Sequence, residues 1–290
     1  MKRLPISDPI RTTEILHHYH LYAKKGFGQN FLVNPAIIAE IVTAADIQPG
    51  DQVVEVGPGI GALSEQLLQA GAKLLAYEID DDLIEVLAQE LADFPDFKVL
   101  NQDVLQTDLG ADLAAYFDLT KPIKVVANLP YYITTPILFM FIESKLPLAS
   151  LTVMMQKEVG ERIIANPGSK DFGPLSIAIQ TTMDPKIAFE VSPRSFNPAP
   201  KVDSVVVTMT KKSQPLAIEN PELFDLIVKT SFAMRRKTIY NNLKVLVAKN
   251  ILTIDQLHEV LATAEIPENK RAEQLGIPEY LHLTELISSL

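Results

Sequence analysis

The run Val53-Val54-Glu55-Val56-Gly57-Pro58-Gly59-Ile60-Gly61-Ala62-Leu63 constrains the fold of this chain more than any other segment. Its first four residues read as a short apolar strand, and the glycines after them let the backbone turn sharply and pass close to a ligand. The helix that follows leaves unpaired N–H groups at its start, pointing back at that ligand. A strand, a glycine turn and a helix in this order form a nucleotide-binding loop and the opening unit of an α/β sheet.

The next apolar run, Lys73 to Tyr77, ends at Glu78, 21 residues beyond Gly57, where a carboxylate suits the paired hydroxyls of a ribose. A third run, Phe97 to Leu100, leads into Asp103, placed to accept from an adenine amino group. Strands near 53–56, 73–77, 97–100 and 123–127 alternate with helical stretches near 61–70, 80–92 and 134–145. That alternation predicts a doubly wound, Rossmann-like α/β sheet. Apolar runs at 150–155, 186–191 and 202–209 come next, the last two reading as an antiparallel hairpin at the sheet edge. Beyond Gln214-Pro215 and Asn220-Pro221 the pattern turns helical. The expected organisation is a catalytic domain over 1–212, with an N-terminal extension over 1–23, and a small all-helical domain over 213–290.

Two cofactors fit the loop. Gly57-x-Gly59-x-x-Ala62 satisfies the dinucleotide fingerprint with its permitted final alanine. Glu55 and the alternation of Gly57, Gly59 and Gly61 look instead like the S-adenosylmethionine loop of methyltransferases. No second dinucleotide half with its own fingerprint follows, and the fourth strand ends in Asn128-Leu129-Pro130-Tyr131. An adenine N6 is a poor nucleophile because its lone pair is delocalised into the ring. The Asn128 side-chain oxygen and the Leu129 carbonyl are placed to accept both N6 hydrogens and aim the nitrogen lone pair at an electrophile. Pro130 stiffens the turn and Tyr131 offers a stacking face. The methyltransferase reading therefore leads.

Seven ordered motifs carry a resemblance: Lys25-Gly26-Phe27-Gly28-Gln29-Asn30-Phe31-Leu32, the Glu55 to Gly61 loop, Glu78-Ile79-Asp80, Asp103, Asn128 to Tyr131, Phe196-Asn197-Pro198-Ala199-Pro200-Lys201-Val202-Asp203-Ser204, and Arg235-Arg236-Lys237-Thr238. In these, from about Lys24 to Leu243, the chain resembles the S-adenosylmethionine-dependent rRNA adenine N6,N6-dimethyltransferases, in their bacterial small-subunit branch. The resemblance implies that Gln29, Asn30 and Leu32 fold over the cofactor. It also implies that Gly57 lies against the cofactor, and that Glu78 holds its ribose and Asp103 its adenine. Asn128 would reach both cofactor and target amino group, while Tyr131 and Phe196 would sandwich a flipped base. The implied substrate is a pair of adjacent adenosines in the loop of the 3′-terminal hairpin of 16S rRNA, within the 30S subunit. A large-subunit adenine methylase of the macrolide-resistance type shares the fold and the Asn-x-Pro-Tyr turn, and a ribosome-assembly factor with vestigial catalysis is the other alternative. The stretch before Gly26 is longer than the common family pattern and bears on how the entrance is covered.

Charge distribution matters more here than its sum. The chain carries 26 basic and 36 acidic residues, a net −10. Between Lys229 and Asn250, however, stand Lys229, Arg235, Arg236, Lys237, Lys244 and Lys249 with no acidic residue. The first 31 residues add five basic against two acidic. Both patches are candidate phosphate-contacting surfaces, with Arg235, Arg236 and Lys237 on the far wall of an interdomain cleft that would hold RNA. His17, His18 and His20 lack carboxylate or cysteine partners at ligand spacing, so no metal is expected. With no cysteine, no apolar leader, and an uncharged run from Val125 to Ile142 broken by Asn128, Pro130 and Pro136, the expectation is a cytoplasmic monomer that avoids membranes.

Overall fold

The apolar runs around the glycine turn are buried on both faces, as parallel strands covered by helices must be. In the computed structural model, which describes residues 4–290, these runs become strands. The strands are β1 (Phe31–Leu32), β2 (Gln52–Val56), β3 (Lys73–Glu78), β4 (Phe97–Asn101), β5 (Ile123–Asn128), β6 (Leu148–Gln156), β7 (Met183–Val191), β8 (Phe196–Asn197) and β9 (Ser204–Lys211). The helices are α1 (Pro9–His18), α2 (Pro35–Ala44), α3 (Ala62–Gln69), α4 (Asp81–Glu90), α5 (Leu109–Tyr116), α6 (Thr134–Ile142), α7 (Lys157–Ile164), α8 (Pro174–Thr182), α9 (Pro221–Ser231), α10 (Ile239–Ala248), α11 (Ile254–Thr263) and α12 (Ile277–Ser288).

Seven strands form one sheet in the order β4-β3-β2-β5-β6-β9-β7. The pairs from β4 to β6 are parallel, and β9 runs antiparallel to β6, with Met154 opposite Val206. The hairpin expected from 186–191 and 202–209 corresponds to the neighbours β7 and β9 at the sheet edge. Helix starts follow local chemistry: Asn34 caps α2, Asp80 caps α4 and Asp108 caps α5, each accepting backbone N–H bonds.

The contacts divide the chain into two units. Among the described residues, the first contains 4–160 and 185–211, and the second 161–184 and 212–290. Punctuation suggested a single break near 212, but the smaller unit is discontinuous. Phe172 and Ile177 pack in one apolar cluster with Phe224, Leu243 and Tyr280, so burial groups the segment with the C-terminal helices.

The N-terminal stretch belongs to the first core. Ile6 and Ile15 are 2% and 1% exposed and share a cluster with Leu63, Leu67 and Leu87. The Ile6 N–H donates to Glu65 at 2.8 Å and Arg11 pairs with Glu90 at 2.7 Å. Sequence periodicity could not announce this, because two isoleucines nine residues apart make no stripe until α3 and α4 lie beneath them.

Gly160 yields a stability prediction. A Cβ there would collide with Val205 and sit 3.1 Å from Val207, both on buried β9. Alanine should gain about 1 kcal/mol of helix propensity yet lose about 1–3 kcal/mol to overpacking. Gly160→Ala is therefore expected to lower the urea midpoint of unfolding; an unchanged or raised midpoint would show that β9 yields.

Candidate active site

The sheet order brings the carboxyl ends of β2, β3, β4 and β5 to one edge, where a cavity opens within the first unit. Its floor is the glycine turn. Gly57 and Gly59 have φ of +69° and +60°, and a Cβ on Gly59 would lie 3.4 Å from the Phe31 ring. A side chain at either position would be strained and would fill the space beside the loop. Gly61 precedes helix α3 with no side-chain cap, and Ala62 and Leu63 of its first turn line the cavity.

Two buried carboxylates flank the turn. Glu55 is 1% exposed and accepts from the Ser64 hydroxyl at 2.6 Å; burial pushes its carboxyl up to about 8. Glu78, at the end of β3, accepts from the Gly59 N–H at 3.2 Å and the Asp80 N–H at 2.9 Å; burial pushes it up to about 7. Asp103 caps the short turn after β4, accepting from the Leu105 N–H at 3.0 Å and Gln106 at 2.6 Å, and it lines the cavity beside Ile79 and Leu105.

Residues 27–32 form one wall, and Lys24 lies just ahead of it. Lys24 ion-pairs with Asp80 and Asp82, both at 2.6 Å, and these hydrogen bonds, with Asp80 foremost, hold its ammonium above the usual lysine range. Gln29 donates to Asp80 at 2.7 Å and accepts from the Lys24 N–H at 2.8 Å. Although Gln29 lines the cavity, its amide ties down the segment rather than pointing free. Asn30 donates to the Gly28 carbonyl at 3.0 Å, and buried Leu32 pairs with Phe196 across β1 and β8.

Asn128 closes the far side from the end of β5. Its amide nitrogen donates to the Asn30 carbonyl at 3.5 Å, which leaves the side-chain oxygen to accept. The Leu129 N–H donates to the Met154 carbonyl at 3.1 Å, and the Pro130 carbonyl accepts from Thr134 at 3.0 Å, so the turn is pinned on both sides. The Tyr131 hydroxyl meets that of Ser204 at 2.5 Å, fixing the ring. Burial raises the Tyr131 pKa, and the Ser204 contact opposes that.

Of the sequence-derived residues, Gln29, Asn30, Leu32, Glu55, Gly57, Gly59, Glu78, Asp103, Asn128, Leu129, Pro130 and Tyr131 all line this cavity. Phe196 does not; it is 5% exposed inside the first apolar core, packed behind β1. The aromatic the sequence reading passed over is Tyr132, which lines the cavity, is 57% exposed and lies against Gly28. Its only sequence signal was adjacency to Tyr131.

Arg235, Arg236 and Lys237 are exposed in the second unit, on the turn between α9 and α10. Buried Asn242 braces that turn by donating to the Ser231 carbonyl at 2.6 Å and the Met234 carbonyl at 3.2 Å. The N-terminal basic patch looks different in three dimensions. Arg11 and Lys24 are held in ion pairs, and Lys2 and Arg3 lie outside the described residues. His17 and His18 end α1, and His20 follows it at φ +53°. Among the described residues, no helix is long and apolar enough to cross a membrane.

A glycine turn held at positive φ, a helix start without a side-chain cap and a buried acid at the end of the next strand are the features by which this class of sheet holds the nucleoside of S-adenosylmethionine. Fold and site define an S-adenosylmethionine-dependent methyltransferase. A model of the ribosomal RNA adenine dimethylase family matches residues 21–283, and the chain belongs to that family. Ribosomal RNA small subunit methyltransferase A of Lactobacillus delbrueckii subsp. bulgaricus is 50% identical over 99% of this chain and 98% of its own length. The protein of that name from Enterococcus faecalis is 47% identical over 97% and 96%. Among solved structures, a dimethyladenosine transferase from Plasmodium falciparum superposes with a TM-score of 0.73 at 28% identity, over 86% of this chain and 94% of that one. The 23S rRNA methyltransferase ErmE, at 24% identity and a TM-score of 0.66 over 89% and 100%, shows the same fold.

Proposed function

We propose that this enzyme dimethylates N6 of two adjacent adenosines in the loop of the 3′-terminal hairpin of 16S rRNA, presented on the 30S subunit in the cytoplasm. The observation that carries the reading is the Asn128-Leu129-Pro130-Tyr131 turn, braced at the cavity with the Asn128 oxygen left to accept. The small-subunit target is supported by relatives of that name at about half identity over nearly full length.

Bound S-adenosylmethionine supplies a methyl group already activated by its sulfonium, so no side-chain nucleophile is required. Glu78 takes the ribose hydroxyls, and Asp103 the adenine amino group of the cofactor. Gln29 holds the covering wall closed through Asp80. Glu55 keeps the glycine turn in register through Ser64 at the start of α3. The Asn128 oxygen and the Leu129 carbonyl accept the N6 hydrogens of the target and orient its lone pair in line with the methyl group. The methylated nitrogen is strongly acidic and loses its proton to water. A stacked adenine cannot reach this depth, so the base is unpaired or flipped out, and stacking on Tyr131 offsets part of the few kcal/mol that unstacking costs. Phe196 would join that stack only once its ring leaves the core.

Arg235, Arg236 and Lys237 contact phosphates in this reading. Reversing both arginines to glutamate is expected to weaken RNA binding more than tenfold at moderate salt, to flatten the log–log salt dependence by roughly 1.5–2, and to leave cofactor affinity unchanged. An unaltered salt slope would remove these residues from the interface. The function itself is tested by incubating the purified protein and labelled S-adenosylmethionine with unmethylated small and large subunits and mapping dimethyladenosine. Label on two adjacent small-subunit hairpin adenosines is expected. Label confined to the large subunit, or tight binding without label, would overturn the assignment.

A further inference from the structure

The loop that carries Asp103 is held at both ends by a residue outside the cavity. Asp112 lies in the first turn of α5, and its Oδ2 accepts from Gln102 Nε2 at 2.6 Å, from the Thr107 hydroxyl, and at 3.5 Å from the Tyr77 hydroxyl. Gln102 immediately precedes Asp103, and Thr107 ends the short turn that Asp103 caps. Tyr77, on β3, is 2% exposed and its neighbour is Glu78. The Gln102 N–H also donates to the Glu78 carbonyl at 3.0 Å. One carboxylate thus fastens both sides of the 102–107 loop to the strand that bears the ribose-binding acid. Charge-assisted bonds to a half-buried carboxylate are short and directional, so they set position as well as adding stability.

We propose that Asp112 is the positioning residue for adenine recognition in the cofactor: it fixes the 102–107 loop so that Asp103 meets the 6-amino group. The inference rests on reading Asp103 as the adenine-binding acid. Without Asp112, Gln102 and Thr107 lose their common acceptor, and Asp103 is free to follow its local partners Leu105 and Gln106 away from the cofactor edge. Discrimination by a hydrogen bond to a charged group is steep, so small displacements weaken it.

The test measures affinities for S-adenosylhomocysteine and for its analogue carrying hypoxanthine in place of adenine, by calorimetry on the full chain. The wild type should prefer the adenine form, and Asp103→Ala should abolish that preference. Asp112→Ala should cut the preference by roughly tenfold, the size expected for one weakened charged hydrogen bond. Asp103→Ala with Asp112→Ala should lose no more than Asp103→Ala alone, because the two act through one contact. Asp112→Asn, which keeps an acceptor oxygen, should restore most of the preference. If Asp112→Ala does not fold, Thr107→Val removes one strut and should lower the ratio in the same direction by a smaller factor. A merely structural Asp112 would lower both affinities together and leave their ratio intact, and that result overturns the proposal. A preference that survives Asp103→Ala overturns the Asp103 reading instead, and the proposal with it.

Discussion

Asn128→Ala is expected to lower kcat on the order of a thousandfold or more while cofactor binding remains measurable. The size follows from what the side chain does. A preorganised polar group aimed at the reacting atom contributes about a hundredfold to a thousandfold to rate, and in the proposed reaction Asn128 and the Leu129 carbonyl would work as one acceptor pair on a single amino group. Removing one member frees the nitrogen to rotate, so alignment is lost along with the hydrogen bond. Cofactor binding survives because the loop, Glu78 and Asp103 are borne by β2, β3 and β4, whose register does not depend on Asn128. Asn128→Asp restores an acceptor but removes the donation to the Asn30 carbonyl, so partial activity is expected. Single-turnover rates with methyl-labelled cofactor separate these effects from binding. Full turnover in Asn128→Ala would mean that the backbone carbonyl alone orients the base.

The second large effect concerns Glu78. Glu78→Gln is expected to weaken S-adenosylmethionine binding on the order of a hundredfold, since two hydroxyl bonds to a charged acceptor become bonds to a neutral one. A pH dependence accompanies it. Burial holds Glu78 near 7 and Glu55 near 8, above the ordinary carboxylate value of 4.5. Both groups therefore bind more protons folded than unfolded between 4.5 and those values. Unfolding then releases protons, and the stability of the free protein falls as pH rises through that window. In the proposed binding mode the ribose hydroxyls donate to the ionised form, so binding would pull the Glu78 pKa down and expel a proton. Cofactor affinity should rise with pH, by up to about tenfold per unit below 7, and level off above it. The rise should vanish in Glu78→Gln. An affinity that is flat from pH 6 to 8 in the wild type would show that Glu78 is already ionised in the free protein, or that it does not bind the ribose.

Local patterns in the chain were enough for the central architecture. Glycines that take a positive φ at a turn, apolar runs of strand length and acids at the strand ends are properties of neighbouring residues. They placed β2 to β5 within a residue or two and located the cavity lining from Glu55 to Tyr131. Those signals work because backbone sterics and strand alternation act over a few positions. What tertiary structure alone decided depends on groups far apart in sequence. The attachment of α1 to the core rests on Ile6 meeting α3, some 59 residues away along the Ile6–Glu65 bond. Membership of 161–184 in the second unit rests on Phe172 and Ile177 meeting the C-terminal helices. Burial of Phe196 follows from the pairing of β8 with β1 across the chain. The Gln29 amide, assigned to the cofactor wall by the resemblance, meets Asp80 and the Lys24 N–H, partners that only the folded segment brings to it. Periodicity carries no information on which distant surface a side chain will meet, because that choice is made by packing and by the pairing of buried polar groups after the strands are in place.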